Sequence, residues 1–342
     1  MDLNSSEITE SNVTFSNLTG ASESLTPIWA LTSTFFLAVC IIGTIANFIG
    51  LVLFAKNPQT ITPFEVYVIN LLGANLANLL IQYPLAIKAN LYDSGWNMGN
   101  HACSLYLYSL NILDGGIVNS HAIISINRAW ALVHPLSFRR AHTKRFTLTV
   151  CGIMWLYIHA AQGSFWLADL LYFRVNVQVK GCMFNTEKLR TWTNVDAVVV
   201  YITPLLAIVL SFGIVMVGKV VRSRASITRK RSAVQPRSVA SRTGIEEATQ
   251  NSHPETGAVM GNSSRPRRRR SFKYIMLTLL TVSFVVCSAP ETIYFFLVGF
   301  VPNFWIQEWF QVASLLFSCQ SLVDPIIFVL TMDKLRTAPA GR

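Results

Sequence analysis

Three acidic side chains stand where lipid or a protein interior would surround them. Asp114, Glu291 and Asp324 each fall inside an apolar stretch of about membrane length. An ionisable group buried there marks a ligand, ion or proton site by default. The plainer alternative is that each carboxylate meets a serine, an asparagine or a water inside a helical bundle. Asn47 and Asn75 add buried polar side chains of the same kind, and Arg128 closes the apolar stretch that holds Asp114. Metal chemistry has little footing: Cys40, Cys151, Cys287 and Cys319 lie in apolar runs with no CxxC or Cys/His cluster, so they read as packing residues. Cys103 and Cys182 flank the apolar runs instead, where an oxidising exterior lets them pair. A nucleophile elbow, a P-loop, an HExxH motif and a loop-borne pair of carboxylates are all missing, so neither an enzyme nor a cofactor is expected.

The elements that must position these residues are set by composition. Of the 342 residues, 52% are apolar and 13% charged, against roughly 25% charged in soluble proteins. Apolar runs long enough to cross a bilayer cover about 27–55, 64–88, 102–132, 146–171, 194–221, 272–301 and 307–332. They are too long for strands and show no period-two alternation, which predicts helices and not a barrel. The fold class is an all-α membrane protein, a seven-transmembrane helix bundle. No internal repeat is visible, which counts against a transporter. Pro84, Pro204, Pro290 and Pro325 fall inside spans, where each removes a backbone hydrogen bond and favours a kink.

Charge gives the orientation. With the N-terminus outside and the C-terminus cytoplasmic, 23 of the 28 Lys and Arg residues fall on the cytoplasmic side, as the positive-inside rule requires. The first 26 residues then form an extracellular tail with glycosylation sequons at Asn4, Asn12 and Asn17. No cleaved signal peptide is expected, the first span acting as the anchor. Residues 27–332 form the bundle, and 333–342 a short cytoplasmic tail. Between the fifth and sixth spans, Lys219 to Lys273 holds fourteen basic and three acidic residues. The segment from about 222 to 271 is predicted to be disordered. It reads as a contact for anionic lipids, with partner docking as an added role. It abuts a span and lacks interleaved aromatic residues, so no nucleic-acid partner is expected.

Motifs in register across all seven spans give the chain a family resemblance. Gly43 to Asn47 is similar to a GxxxN motif, and Asn70 to Leu76 to NLAxADL with Asn75 in place of the acid. Trp96 to Gly99 precedes Cys103 as in a WxFG motif, and Asn127-Arg128 through Pro135-Leu136 resembles DRYxAIxxPL. Trp155, Pro204, Phe284 with Cys287 to Pro290 (FxxCWxP), and Asp324-Pro325 to Phe328 (NPxxY) complete the set. The chain resembles the rhodopsin-like (class A) G-protein-coupled receptors. The resemblance implies a plasma-membrane receptor that binds an extracellular ligand and activates a heterotrimeric G protein, with arrestin as a further partner. It assigns coupling and switching to Asn127, Arg128, Pro135, Phe284, Pro290, Asp324, Pro325 and Phe328, and a polar core to Asn47, Asn75 and Asp324. A Cys103–Cys182 disulfide is expected to hold the outer loop as a lid.

Departures from the family pattern shape the remaining expectations. Asn127 stands where the family has an acid and Arg270 where some members have a glutamate, so Arg128 lacks its resting ion pair and basal activity is expected. Ser288 replaces the switch tryptophan, and Phe212 and Phe328 replace tyrosines, which leaves a non-signalling seven-helix protein as the alternative. Leu110 and Ser318 occupy the aminergic-acid and retinal-lysine positions, which disfavours those two ligand types. Asp114 and Glu291, if placed as in the family, face a common cavity and favour a cationic ligand, a peptide or small molecule. Asn111, Gln162, Tyr294, Trp309 and Gln311 make the rest of the expected wall, with Arg174 and Lys180 as competing counter-ions from the lid.

Overall fold

In a computed structural model, residues 31–56, 58–91, 96–177, 181–185, 188–233, 265–301, 304 and 306–331 are described, and all regular structure among them is helical. The first four spans are Leu31–Ala55, Pro63–Leu91, Gly99–Val133 and Lys144–Ala168. The fifth runs through Arg190–Asp196, a π-helical stretch Ala197–Ile202 and Thr203–Ala233 without a break. The sixth is Arg265–Phe300 and the seventh Gln307–Thr331. A short helix, Pro135–Ala141, links the third span to the fourth, and a π-helical turn, Asp169–Phe173, extends the fourth. The sequons Asn4, Asn12 and Asn17 lie outside the described residues.

The first, second, fifth, sixth and seventh spans are long and apolar enough to cross a membrane on length and composition. The third and fourth are also long, at 35 and 25 residues, but more polar. The third carries Asn111, Asp114, Asn119, Ser120 and His121, and it packs against the second, fourth, fifth and sixth spans. A central helix can carry that polarity because its neighbours, not lipid, receive it. Contacts of the first span with the second and seventh, and of the seventh with the sixth, close the bundle.

The distribution of side chains is reversed relative to a water-soluble fold. Asn47, Asn75, Asn78, Ser120 and Asp324 are fully buried, whereas Ile42, Phe48, Leu156, Leu210 and Val217 are each more than half exposed. Hydrocarbon solvates the latter group and cannot solvate the former. Apolar packing inside is supplied by Leu71, Leu72, Ile124 and Phe328 among others.

Helix ends depart from the composition-based limits. Helix occupies residues up to 233 and from 265, inside the segment predicted to be disordered, while 234–264 lie outside the described residues. A helix nucleated in a span extends by one hydrogen bond per added residue, and Arg and Lys are good helix formers. Pro266, second in the sixth helix, lacks only an N–H that would be unsatisfied there anyway.

Pro84, Pro290 and Pro325 lie within helices. Pro204 follows the π-helical stretch, where the Thr203 N–H and hydroxyl both reach back to the Val198 carbonyl. At the start of the third span Gly99 has φ 77°, a conformation cheap only for glycine. Its carbonyl accepts the Trp96 indole N–H at 2.8 Å.

Candidate functional site

The Cys103–Cys182 disulfide ties the start of the third span to the loop between the fourth and fifth. Beneath it lies a cavity of about 490 Å³, the size of a small-ligand site. Asn111, Asp114, Glu291 and Gln311 line it. Gln162, Tyr294 and Trp309, expected on the same wall, do not. Gln162 is buried behind it and donates to the Tyr201 hydroxyl at 3.2 Å. Tyr294 is fully buried and packs against Phe295, Trp309 and Phe310 in an aromatic cluster between the sixth and seventh spans. For Trp309 the cause is rotation about the helix axis. Each residue turns the chain by about 100°, so Trp309, two before Gln311, faces the other way. Tyr294, only about 60° round from Glu291, is instead taken up by its contacts with Trp309 and Phe310.

Among the described residues, the charged side chains on the largely apolar wall of the cavity are all acidic. Asp114 Oδ1 accepts the Asn78 amide at 2.8 Å and Glu291 Oε1 accepts the Ser314 hydroxyl at 3.1 Å. A third acid, Asp196, lines the same space. It was legible as an acid in an apolar run, but it sits where that run begins and passes for a boundary residue. No Lys, Arg or His lines the cavity among the described residues. Arg174 does not fold inward as a counter-ion: its Nε donates to Asp169 at 2.5 Å and its Nη1 to Ser104 at 3.3 Å. Asp169, fully buried, also accepts the Asn185 N–H, so the pair fastens the lid to the third and fourth spans. Lys180 lies outside the described residues.

Deeper in the bundle, Asp324 collects three donors. Asn75 Nδ2 lies 2.9 Å and His121 Nε2 3.1 Å from one carboxylate oxygen, and Gln320 Nε2 lies 2.5 Å from the other. Asn47 links the first and seventh spans through the Gly43 and Ser321 carbonyls, each at 2.8 Å. The Phe284 ring packs on the His121 ring at 4.8 Å, so this network touches the sixth span as well. His121 and Gln320 were missed by sequence reasoning, although a histidine inside a span is itself a signal.

At the opposite end, the Arg128 guanidinium lies over the Phe64 ring at 3.2 Å from its centroid, and the described ion pairs do not include it. Asn127 is buried and reaches Tyr67. Pro135 opens the short linking helix, which leaves Leu136 77% exposed. His142 stacks on Phe138, and burial together with the nearby Arg128 lowers its pKa, so it stays neutral at neutral pH. Pro290, Pro325 and the fully buried Phe328 lie in the sixth and seventh spans between this end and the cavity.

Residues 46–328 match the 7 transmembrane receptor (rhodopsin family). The chain belongs to that family. The matched stretch runs from within the first span to Phe328 in the seventh, so the receptor carries the family's domain across all its helices. It is a multi-pass protein of the plasma membrane. It is 24% identical over 213 residues to melatonin receptor type 1B-B of Danio rerio, covering 61% of this chain and 60% of the relative. It is 25% identical over 209 residues to the G0-coupled rhodopsin of Mizuhopecten yessoensis, covering 58% and 50%. Type-1 angiotensin II receptor A of Rattus norvegicus is 25% identical over 160 residues, covering 47% and 44%. These alignments span about half the length of the relatives.

Proposed function

We propose that this receptor sits with its N-terminus outside, binds an extracellular ligand that carries positive charge, a small molecule or a peptide, and activates a heterotrimeric G protein. One observation carries the ligand class: a cavity lined by Asp114, Glu291 and Asp196 with no basic side chain among its described residues. Carboxylates crowded in a low-dielectric space repel, and a bound cation relieves that cost. The relatives' names point to unlike ligands, melatonin and angiotensin, so they favour a receptor role without selecting the ligand. The name of the G0-coupled rhodopsin supports G-protein coupling. Arg128 and Leu136 form the coupling surface, arrestin shares it, and the basic stretch after the fifth span contacts anionic lipids. A receptor family without enzymatic chemistry is consistent with the lack of catalytic motifs.

Arg128 has no carboxylate partner among the described residues, which favours activity in the absence of ligand. The same feature, with Ser288 and Phe328 at switch positions, is what a non-signalling seven-helix protein would carry. Ligand-free G-protein recruitment in cells separates the two: signal above an Arg128→Ala control supports the receptor, and none at equal surface expression supports the alternative. Cationic ligands should lose potency at Asp114→Asn and Glu291→Gln. A potent anionic agonist, or a cationic one indifferent to both substitutions, would defeat the charge assignment.

A further inference from the structure

We infer that the cavity has two separate cation-binding poles and selects ligands bearing two positive charges. This rests on the cation-receptor reading above and adds a second pole at Asp196. Asp114 and Glu291 form the first pole: both line the cavity, held by the Asn78 amide and the Ser314 hydroxyl. Asp196 lies on the fifth span, at a different depth. The Asn194 side chain faces Gly299, which sets the fifth and sixth spans level at that point. From there Asp196 is two residues deeper and Glu291 eight residues deeper along their helices. At about 1.5 Å per residue, the second pole sits roughly 9 Å nearer the disulfide end than Glu291.

Tyr201 stands between the poles. It lines the cavity five residues past Asp196, and its hydroxyl receives the Gln162 amide at 3.2 Å. The π-helical stretch Ala197–Ile202 begins directly after Asp196, and Asp196, Ala197 and Tyr201 all line the cavity.

The lining also offers acceptors without donors. The Gln162 side chain reaches the Asp196 carboxylate, but Asp196 Oδ1 has no hydrogen-bond partner, and neither does the Oε1 of Gln82, a cavity-lining residue only 9% exposed. Acceptors buried in this way cost free energy until a donor meets them. An ammonium or amidinium supplies several N–H donors with its charge. A monocation meets one pole and leaves the other carboxylate desolvated and unpaired; a dication whose charges lie on the order of 10 Å apart meets both. Between the poles Phe165, Tyr201 and Phe295 give an aromatic wall that suits an apolar spacer and the faces of cationic groups.

The test uses the full-length receptor in detergent and reads thermal stabilisation by linear diamines of graded length and by the matched n-alkylamines. Diamines of matching span should bind roughly tenfold or more tightly than the monoamines. Asp196→Asn should remove that preference, bringing the diamines down to the level of the monoamines, and Asp196→Glu should retain it, which separates lost charge from lost fold. Equal binding of both series, or an equal loss of both at Asp196→Asn, overturns the second pole and leaves the cation reading standing. If neither series stabilises a receptor that melts cooperatively, the cation reading itself fails and the two-pole inference with it.

Discussion

At the residue scale, the contact of Arg128 with Phe64 replaces an ion pair by a cation–π interaction. Such a contact contributes about 0.5–2 kcal/mol depending on desolvation, less than a buried charge-assisted hydrogen bond at about 1.5–3 kcal/mol. The resting position of Arg128 is therefore held, but weakly. Phe64→Leu should raise ligand-free G-protein recruitment several-fold, and Asn127→Asp should lower it by restoring an acid beside the guanidinium. An unchanged signal in the first variant, or a higher one in the second, at equal surface expression, would count against this balance. The Asp324 network makes a second prediction. Asn75→Asp sets a carboxylate against Asp324 and should cost surface expression; adding Asp324→Asn restores one acid and one amide and should recover it. No gain of the double variant over the single would show that the contact carries little energy. The exchange of acid and amide between the second and seventh spans was legible from the motifs. That His121 and Gln320 complete the network was not, because a single sequence does not show which faces of the third and seventh helices meet.

Among the elements, the close approach of the third and fourth spans depends on Gly116. A Cβ placed there would lie 2.4 Å from the Trp155 ring, well inside van der Waals contact. The same indole donates to Asn70 at 2.9 Å, and Asn70 to Ser120 at 2.8 Å, so Trp155 has little room to yield. Gly116→Ala should lower stability by about 1–3 kcal/mol, read as a lower melting temperature of the purified receptor. Trp155→Phe in the same chain should recover part of that loss, an interaction that a double-mutant cycle measures directly; additive effects would mean the two side chains do not compete for space. The positions of the long helices were legible in the sequence because apolar runs of that length have few other solutions. Their ends and rotations were not. Helix propagates past the apolar limit into Arg-rich sequence. The π-helical stretch before Pro204 carried no sequence signal. Thr193, Asp196, Ala197 and Tyr201 line the cavity at i, i+3, i+4 and i+8 spacing, a face that becomes readable only once one of them is known to point inward.

For the whole molecule, the arrangement of polar side chains inside and apolar ones outside fits a bundle immersed in lipid, but it does not distinguish one end from the other. Charge does. The proposed topology, with the Arg128 end in the cytoplasm, puts 23 of 28 basic residues there, as the preference for basic loops on that side favours. The acidic N-terminal tail, with sequons at Asn4, Asn12 and Asn17, must then enter the secretory lumen, whereas the sequon at Asn262 stays on the side where no glycan is added. The two sets therefore report on opposite faces of the membrane. Enzymatic removal of N-linked glycans should increase the gel mobility of the wild-type receptor. The shift should vanish when Asn4, Asn12 and Asn17 are all changed to Gln, and it should be unaffected by Asn262→Gln. A mobility shift that depends on Asn262 alone would invert the topology, place Asp114, Glu291 and Asp196 on the cytoplasmic side, and remove the basis for an extracellular ligand.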